Sequence, residues 1–441
     1  MAKIVTLKDH KTNELAYPQT VSDAVYMDNG STLEQYKESV SRQFNNYPNV
    51  TVTGTVTNLP DNEDIRETEQ HTLQLADRNN LEGMGYVILR KNKSLAEQVI
   101  YENTIYEIRY DFELSEDITI PANCVLKFDG GSINGSYYLD SDNTGIIAGL
   151  AQIFGTDVKF RTTWNIVEAY PEWFGAKGNG SNDDTAGIQA ALDFISIAVP
   201  RIKKLKFAAK TYYTSSTLDF SSGYCVIEGA PLTNNGESQT YIIKTTPGII
   251  LRCRSITSIV SIGFGYANDV TIDNTCKCVL IKSTDETPGE GQYYLTDADT
   301  HILNCNFNSG YTALEIWGVQ YEISHNGFSG IKNCCIDIYK YAGGNRVSGG
   351  ARSYRIWYNN LHAFDTTTIF VRNNTDDGYG FSIQGTFSDT AGKFFVGKLI
   401  DSVITNNTLT TAYESIIIDS PLIKKTIINN NKFDCREQIT G

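Results

Sequence analysis

Two short stretches in the C-terminal third carry residues whose types and spacing could do chemistry. In 314-LEIWGV-319 a carboxylate and an indole stand two residues apart, Glu315 and Trp317, and 336-IDIYKY-341 repeats the arrangement with Asp337 and Tyr339. Alternation with Leu314, Ile316, Ile336 and Ile338 reads as strands with one apolar face, so carboxylate and aromatic share the other face. Two adjacent carboxylates can cleave a glycosidic bond, with a separation of about 5 Å in the retaining geometry. Crowding them raises the pKa of one, which supplies a protonated acid at neutral pH. Flat rings beside them would hold a sugar. Arg372, in 371-VRNNTDDGYG-380, adds a guanidinium near Asp376 and Asp377, the local grouping that a calcium-assisted lyase would need. Glu315 and Asp337 are thus the catalytic candidates, and Trp317, Tyr339 and Arg372 the substrate-binding ones. Outward carboxylates on such strands are ordinarily only solvated, and outward aromatics ordinarily pack beneath loops or in a subunit seam. Spacing alone does not separate these readings.

The elements that would position these residues recur. Ile-x-x-Asn-x-(Phe/Leu) appears in 323-ISHNGF-328, 356-IWYNNL-361, 404-ITNNTL-409 and 428-INNNKF-433, and 302-ILNCNF-307 has Cys305 in the Asn place. The leading isoleucines lie 21, 33, 48 and 24 residues apart. The short intervals suit one coil of a solenoid, and the long ones a coil with loops or two coils. A second apolar pair follows at a near-constant offset: Leu314/Ile316, Ile336/Ile338, Ile369/Val371 and Ile416/Ile418. Stacked in that order, these pairs place Glu315, Asp337, Phe370 and Ile417 in one outward row and Trp317, Tyr339, Arg372 and Asp419 in the next. The recurring Asn reads as structural, because it tolerates left-handed dihedrals at a bend and its amide can pair with the Asn of the next coil.

Composition bounds the rest. With 26 Tyr, 36 Gly and only 10 Pro in 441 residues, the chain favours strands and tight turns. A net charge of -14 argues against a nucleic-acid partner, which needs basic patches, and suits a glycan better than an anionic membrane. No run of about 18 apolar residues predicts membrane insertion, and 1-MAKIVTLKDHKTNELAYPQ-19 has no apolar segment of a signal peptide. Nine cysteines, most within apolar patterns, read as reduced buried thiols of a protein made in a cytoplasm. Neither they nor the five histidines form a spaced metal cluster, so no metal or cofactor is expected.

Four regions follow along the chain. Residues 1–50 form a module with a short amphipathic helix at 31-STLEQYKESVSRQF-44, too small for its own core and suited to docking on copies of itself. Residues 51–104 are polar and irregular, with one clear strand at 86-YVILR-90. Residues 105–165 are a lead-in of short strands cut by P-A-N, D-G-G and N-G turns, and residues 166–441 are the solenoid. In 173-WFGAKGNGSNDDTAGIQAALDF-194, no Gly-Lys-Ser/Thr follows the glycines, so the loop is no phosphate cradle. Asp183, Asp184 or Thr185 can instead begin a helix near 184–197 whose stripe Ile188, Ala191, Leu192 and Ile195 would cap the solenoid's end.

Those residues, Trp173 to Gly180 with Asp183-Asp184-Thr185 and Ile188 to Ala191, resemble the opening motif of the pectate-lyase superfamily. The following 205-LKFAAKTYYTSS-216 resembles that family's next strands, with Ala208 where a proline is usual. The resemblance covers roughly 165–435 and implies an all-β, right-handed parallel β-helix. It does not imply one chemistry, since the family includes hydrolases, lyases and non-enzymatic phage proteins. The segments 14-ELAYPQTVSDAVYMDNGSTLEQ-35 and 105–136 look like attachment and lead-in segments of tail fibre or tailspike proteins, including those of crAss-like and related phages of gut bacteria. That resemblance implies a homotrimer in a virion tail, joined to other tail proteins through residues 1–50 and facing a host cell-surface glycan. A polysaccharide depolymerase on the same scaffold, hydrolase before lyase, is the alternative. A bacterial β-helix polysaccharide enzyme or adhesin is the third reading.

Overall fold

The computed structural model describes residues 85–199, 203–220, 224–254, 256–282, 300–339, 351–362, 367–374, 378–388, 392–409, 414–418 and 425–433, with the short strands Val50–Thr53 and Thr72–Leu75. The expected helix at 31–44, and the rest of 1–49, lie outside these residues. The chain divides into two compact units, Met1–Gly149 with Asp157–Asn165, and Leu150–Thr156 with Ile166–Gly441.

In the first unit, strands Gly85–Ile88, Thr104–Ile108, Val125–Phe128, Tyr138–Ile147 and Lys159–Trp164 stack in that order, each pair parallel. The stretch expected to be irregular also holds a single helical turn, Leu95–Gln98. Ser94 and Glu97 close it as a reciprocal capping box, while Leu95 is buried. At one corner Asn103, Asn123 and Asn143 take φ of 52°, 54° and 62°, and their amides chain from coil to coil at 3.4 and 2.8 Å.

The second unit is a solenoid of parallel strands with three faces. Its first face is a ten-stranded sheet: Glu168–Ala169, Lys203–Lys206, Cys225–Glu228, Ser258–Val260, Thr300–Leu303, Tyr321–Ser324, Arg355–Trp357, Ser382–Gln384, Val403–Thr405 and Ile427–Asn429. Each strand pairs with one a full coil away, so Ile227, Ile259, Ile302, Ile323, Ile356, Ile383 and Ile404 form one column at 0–1% exposure. Each such side chain contributes about 1.5–3 kcal/mol by leaving water, and only neighbouring coils supply the cover. Ile428, at the end of the column, is 42% exposed. The long interval between Ile356 and Ile404 holds two coils, the extra one led by Ile383.

Between first and second faces the chain turns sharply at Asn304, His325, Tyr358, Gly385, Asn406 and Asn430, all at φ of 53–64°. The next residue is the recurring Asn on four of these coils, with Cys305 and Thr386 in its place on the other two, and it does different work. Asn326, Asn359, Asn407 and Asn431 turn inward: Asn359 Oδ1 accepts the backbone N–H of Asn326 at 3.0 Å, and its Nδ2 donates to Ile323 O at 2.9 Å. Asn431 serves Asn407 and Ile404 O in the same way. The left-handed turn and the amide ladder, expected of one residue, are thus divided between two. Beyond the ladder Phe264, Phe307 and Phe328 stack at 5.7 and 5.1 Å inside the second face.

Helix Thr185–Ser196 buries Ile188, Ala191, Leu192 and Ile195, with Phe194 against Phe154 and Phe174. Asp184, at the N-cap, makes no side-chain cap. Its carboxylate reaches back to accept the N–H groups of Lys177 (2.6 Å) and Gly178 (3.1 Å), which ties the glycine loop to the helix. Burial raises the Asp184 pKa despite those donors. The eight described free cysteines are all buried, as expected of reduced core thiols.

Candidate functional site

The third face carries the candidate residues. It consists of Leu218–Phe220, Leu251–Cys253, Lys277–Ile281, the second halves of Asn306–Ile316 and Gly327–Ile338, then Ile369–Asn373, Lys393–Gly397 and Glu414–Ile418. Its pairing register defines an outward row of Asp219, Arg252, Leu280, Glu315, Asp337, Arg372 and Val396, with Ile417 the register partner of Val396. Glu315 and Asp337 are direct partners on adjacent coils, about 4.8 Å apart by strand spacing. Backbone bonds across the coils put Arg254, Lys282, Trp317, Tyr339 and Asn374 in a second row just beyond.

The row places Arg372 differently from the expected stacking. Ile336 pairs with Val371 rather than Ile369, so Arg372 stands beside Asp337 and not beside Tyr339. Phe370, expected to face outward, is fully buried with its ring against Phe328 and Phe394. Ile417 pairs in register with Val396 of the carboxylate row, and Asp419, Asp376 and Asp377 lie outside the described residues.

Each carboxylate is closed by its own cation. Lys277 Nζ lies 2.5 Å from Glu315 Oε2, and Trp317 Nε1 donates to Oε1 at 3.0 Å. Asp337 is held on more sides. Arg372 Nε donates to Oδ1 at 2.9 Å and its Nη2 to Oδ2, Asn374 Nδ2 donates to Oδ1 at 2.6 Å, and Tyr339 OH donates to Oδ2 at 3.2 Å. Asp337's side chain is 2% exposed, and Glu315's 10%. The bond to Asp337 holds the Arg372 guanidinium well above its ordinary pKa, and burial with the two nearby carboxylates raises the Tyr339 phenol. Glu315, held by one flexible ammonium and the Trp317 indole, has fewer donors than Asp337.

The aromatic pair is stacked at 4.8 Å with 8° between planes. Lys282 lies over the Trp317 ring at 4.7 Å from the preceding coil. Trp317 therefore sits between a cation and a ring, its faces turned along the stack and its edge outward. All five sequence candidates lie in these two adjacent rows.

Sequence reasoning missed Asp219, Arg252, Lys277, Lys282 and Asn374. The signal was present in 218-LDF-220 and 251-LRC-253, which repeat the apolar–charged–apolar pattern of 314-LEI-316 and 336-IDI-338. Among the described residues no group of three or more His, Cys, Asp or Glu forms a metal-binding cluster, and no helix is long and apolar enough to cross a membrane.

The fold and this surface define a parallel-strand solenoid bearing a charged and aromatic ladder. No protein-family model matches the chain, and no curated protein matches it. Among solved structures the chain is similar to Geobacillus virus E2 ORF18, at 14% identity and a TM-score of 0.30 over 60% of each chain. The match spans less than two thirds of that protein, a likeness too slight to carry fold or activity across.

Proposed function

We propose that the chain is a subunit of a phage tail spike or fibre whose solenoid recognises surface polysaccharide of the bacterial host. The single observation that carries recognition over cleavage is the closure of each carboxylate by its own cation, Glu315 by Lys277 and Asp337 by Arg372. Closed pairs keep the rows rigid and present fixed donors and an aromatic edge to a ligand, and neither candidate carboxylate stands without a cation. The right-handed β-helix, the homotrimer and the joining of residues 1–50 to other tail proteins belong to this reading through the resemblances at Trp173–Ala191 and 14–35.

A depolymerase is the second reading, favoured by the register partnership of Glu315 and Asp337. The test is a binding screen of the full chain against a panel of neutral and acidic bacterial capsular polysaccharides, with reducing ends and unsaturated uronides followed in the same samples. Saturable binding without new ends supports recognition. Accumulating ends that vanish with Glu315→Gln support the depolymerase, and no binding to any capsule overturns both.

A further inference from the structure

At the corner between the first and second faces the chain fills the same left-handed position in two ways. Asn406 and Asn430 suit that conformation, and the Asn430 amide donates to Asn406 Oδ1, so the corner closes on itself. Earlier along the solenoid the position holds His325 and Tyr358, whose rings meet at 5.3 Å. A tyrosine at φ 54° is an outlier among L residues, a strain that asparagine would relieve. The core does not require it, because Tyr358 is 58% exposed. The next coil makes room for the ring: at Gly385 a Cβ would lie 2.6 Å from Tyr358 Cδ1. Two residues further on, Phe387 stands at 45% exposure between Asn360 and Thr408 in the register. Just before the corner, the Trp357 indole and the Gln384 amide both donate to Ser382 Oγ, at 3.0 and 2.8 Å, which holds that edge in place.

We infer that this corner is a second glycan subsite, at which the Tyr358 and Phe387 rings pack against an uncharged sugar segment while the Asn360 and Gln384 amides hydrogen-bond its hydroxyls. The inference rests on the proposed recognition of polysaccharide and adds a surface apart from the carboxylate row of the third face. Rings supply rigid contact area at low entropic cost, and amides supply donors and acceptors without charge. A seam between copies of the chain would need an apolar centre, whereas the neighbours of these rings, Asn360, Gln384 and Thr408, are all polar.

The experiment titrates the same capsular panel into the full chain and its Tyr358→Asn and Phe387→Ser variants, with sedimentation and thermal unfolding of each. Tyr358→Asn installs the residue that later corners already carry, so its thermal midpoint should hold or rise while affinity for the strongest binder falls about tenfold. Phe387→Ser should weaken binding to a similar extent, and both variants should sediment as the parent does. Affinity that survives either substitution overturns the inference and leaves recognition through the third face standing. A lowered midpoint for Tyr358→Asn would mean that the ring is kept for stability, and overturns it as well. So does a loss of affinity that comes only with a smaller sedimentation coefficient, which assigns the rings to a contact between copies. No binding by the parent to any panel member removes the recognition reading, and this subsite with it.

Discussion

Asp337 and Arg372 face each other from register-paired positions on adjacent coils, with Arg372 Nε donating to Oδ1 at 2.9 Å and the carboxylate almost wholly buried. Removing the cation strands the anion. Arg372→Leu should cost roughly 3–5 kcal/mol, whereas replacing both partners with apolar residues should cost far less. Denaturant unfolding of Arg372→Leu, Asp337→Leu and the double variant checks this; a double-variant loss equal to the sum of the two single losses would show that the pair is not coupled.

The amide ladder is broken at one rung. Where neighbouring coils have Asn359 and Asn407, the coil between them has Thr386, whose buried Oγ1 makes no hydrogen bond. Thr386→Asn should restore the pattern, accepting from the N–H of Asn359 and donating to Ile356 O. A gain of about 1 kcal/mol is expected in the unfolding free energy. A loss would mean that the local coil spacing does not accommodate the amide.

Gly187, within the cap helix, illustrates two opposed effects. Alanine would improve helix propensity by about 1 kcal/mol. Its Cβ, however, would meet Ala176 N at 2.7 Å and Phe174 O at 3.0 Å, both backbone atoms that cannot swing away. Overpacking should win, so Gly187→Ala is expected to lower stability by about 1–3 kcal/mol, read as a lower thermal midpoint.

Asp183 links the cap loop to the next coil. Burial alone would raise its pKa, but donors from Ser215 and Thr185 outweigh burial and hold the carboxyl below the usual aspartate value. A depressed folded pKa means stability that is present above the unfolded value and lost as pH falls through the folded one. Asp183→Asn should therefore be less stable than the parent at pH 7, and the gap should close from about pH 4 downward. A gap that stays constant to acid would refute the linkage.

Much of the solenoid was legible because each coil repeats the same demand. The buried isoleucine column and the Asn one turn later are imposed by stacking, so Ile323, Ile356, Ile404 and Ile428 announce themselves. The coil led by Ile383 does not, since Thr386 replaces the Asn that marks the others. The slip at Arg372 has a similar cause. A two-residue shift leaves Val371 inward and Arg372 outward, so Ile369/Val371 satisfied the apolar pattern in either register. The deciding partner is Cys334, which behaves as a core hydrophobe opposite Ile369 and carries no such signal in the sequence. Lys277, the cation that closes Glu315, was also illegible, because it belongs to another coil and reaches Glu315 only through the fold.

Glycan recognition by this face, without cleavage, is tested most directly by titrating the capsular polysaccharide found on the panel into the full chain and its Trp317→Ala variant, with reducing ends counted in the same samples. Saturable binding is expected for the parent, weakened about tenfold by Trp317→Ala, with no growth in reducing ends for either. Binding untouched by Trp317→Ala, or reducing ends that accumulate in the parent and disappear with Glu315→Gln, would contradict it.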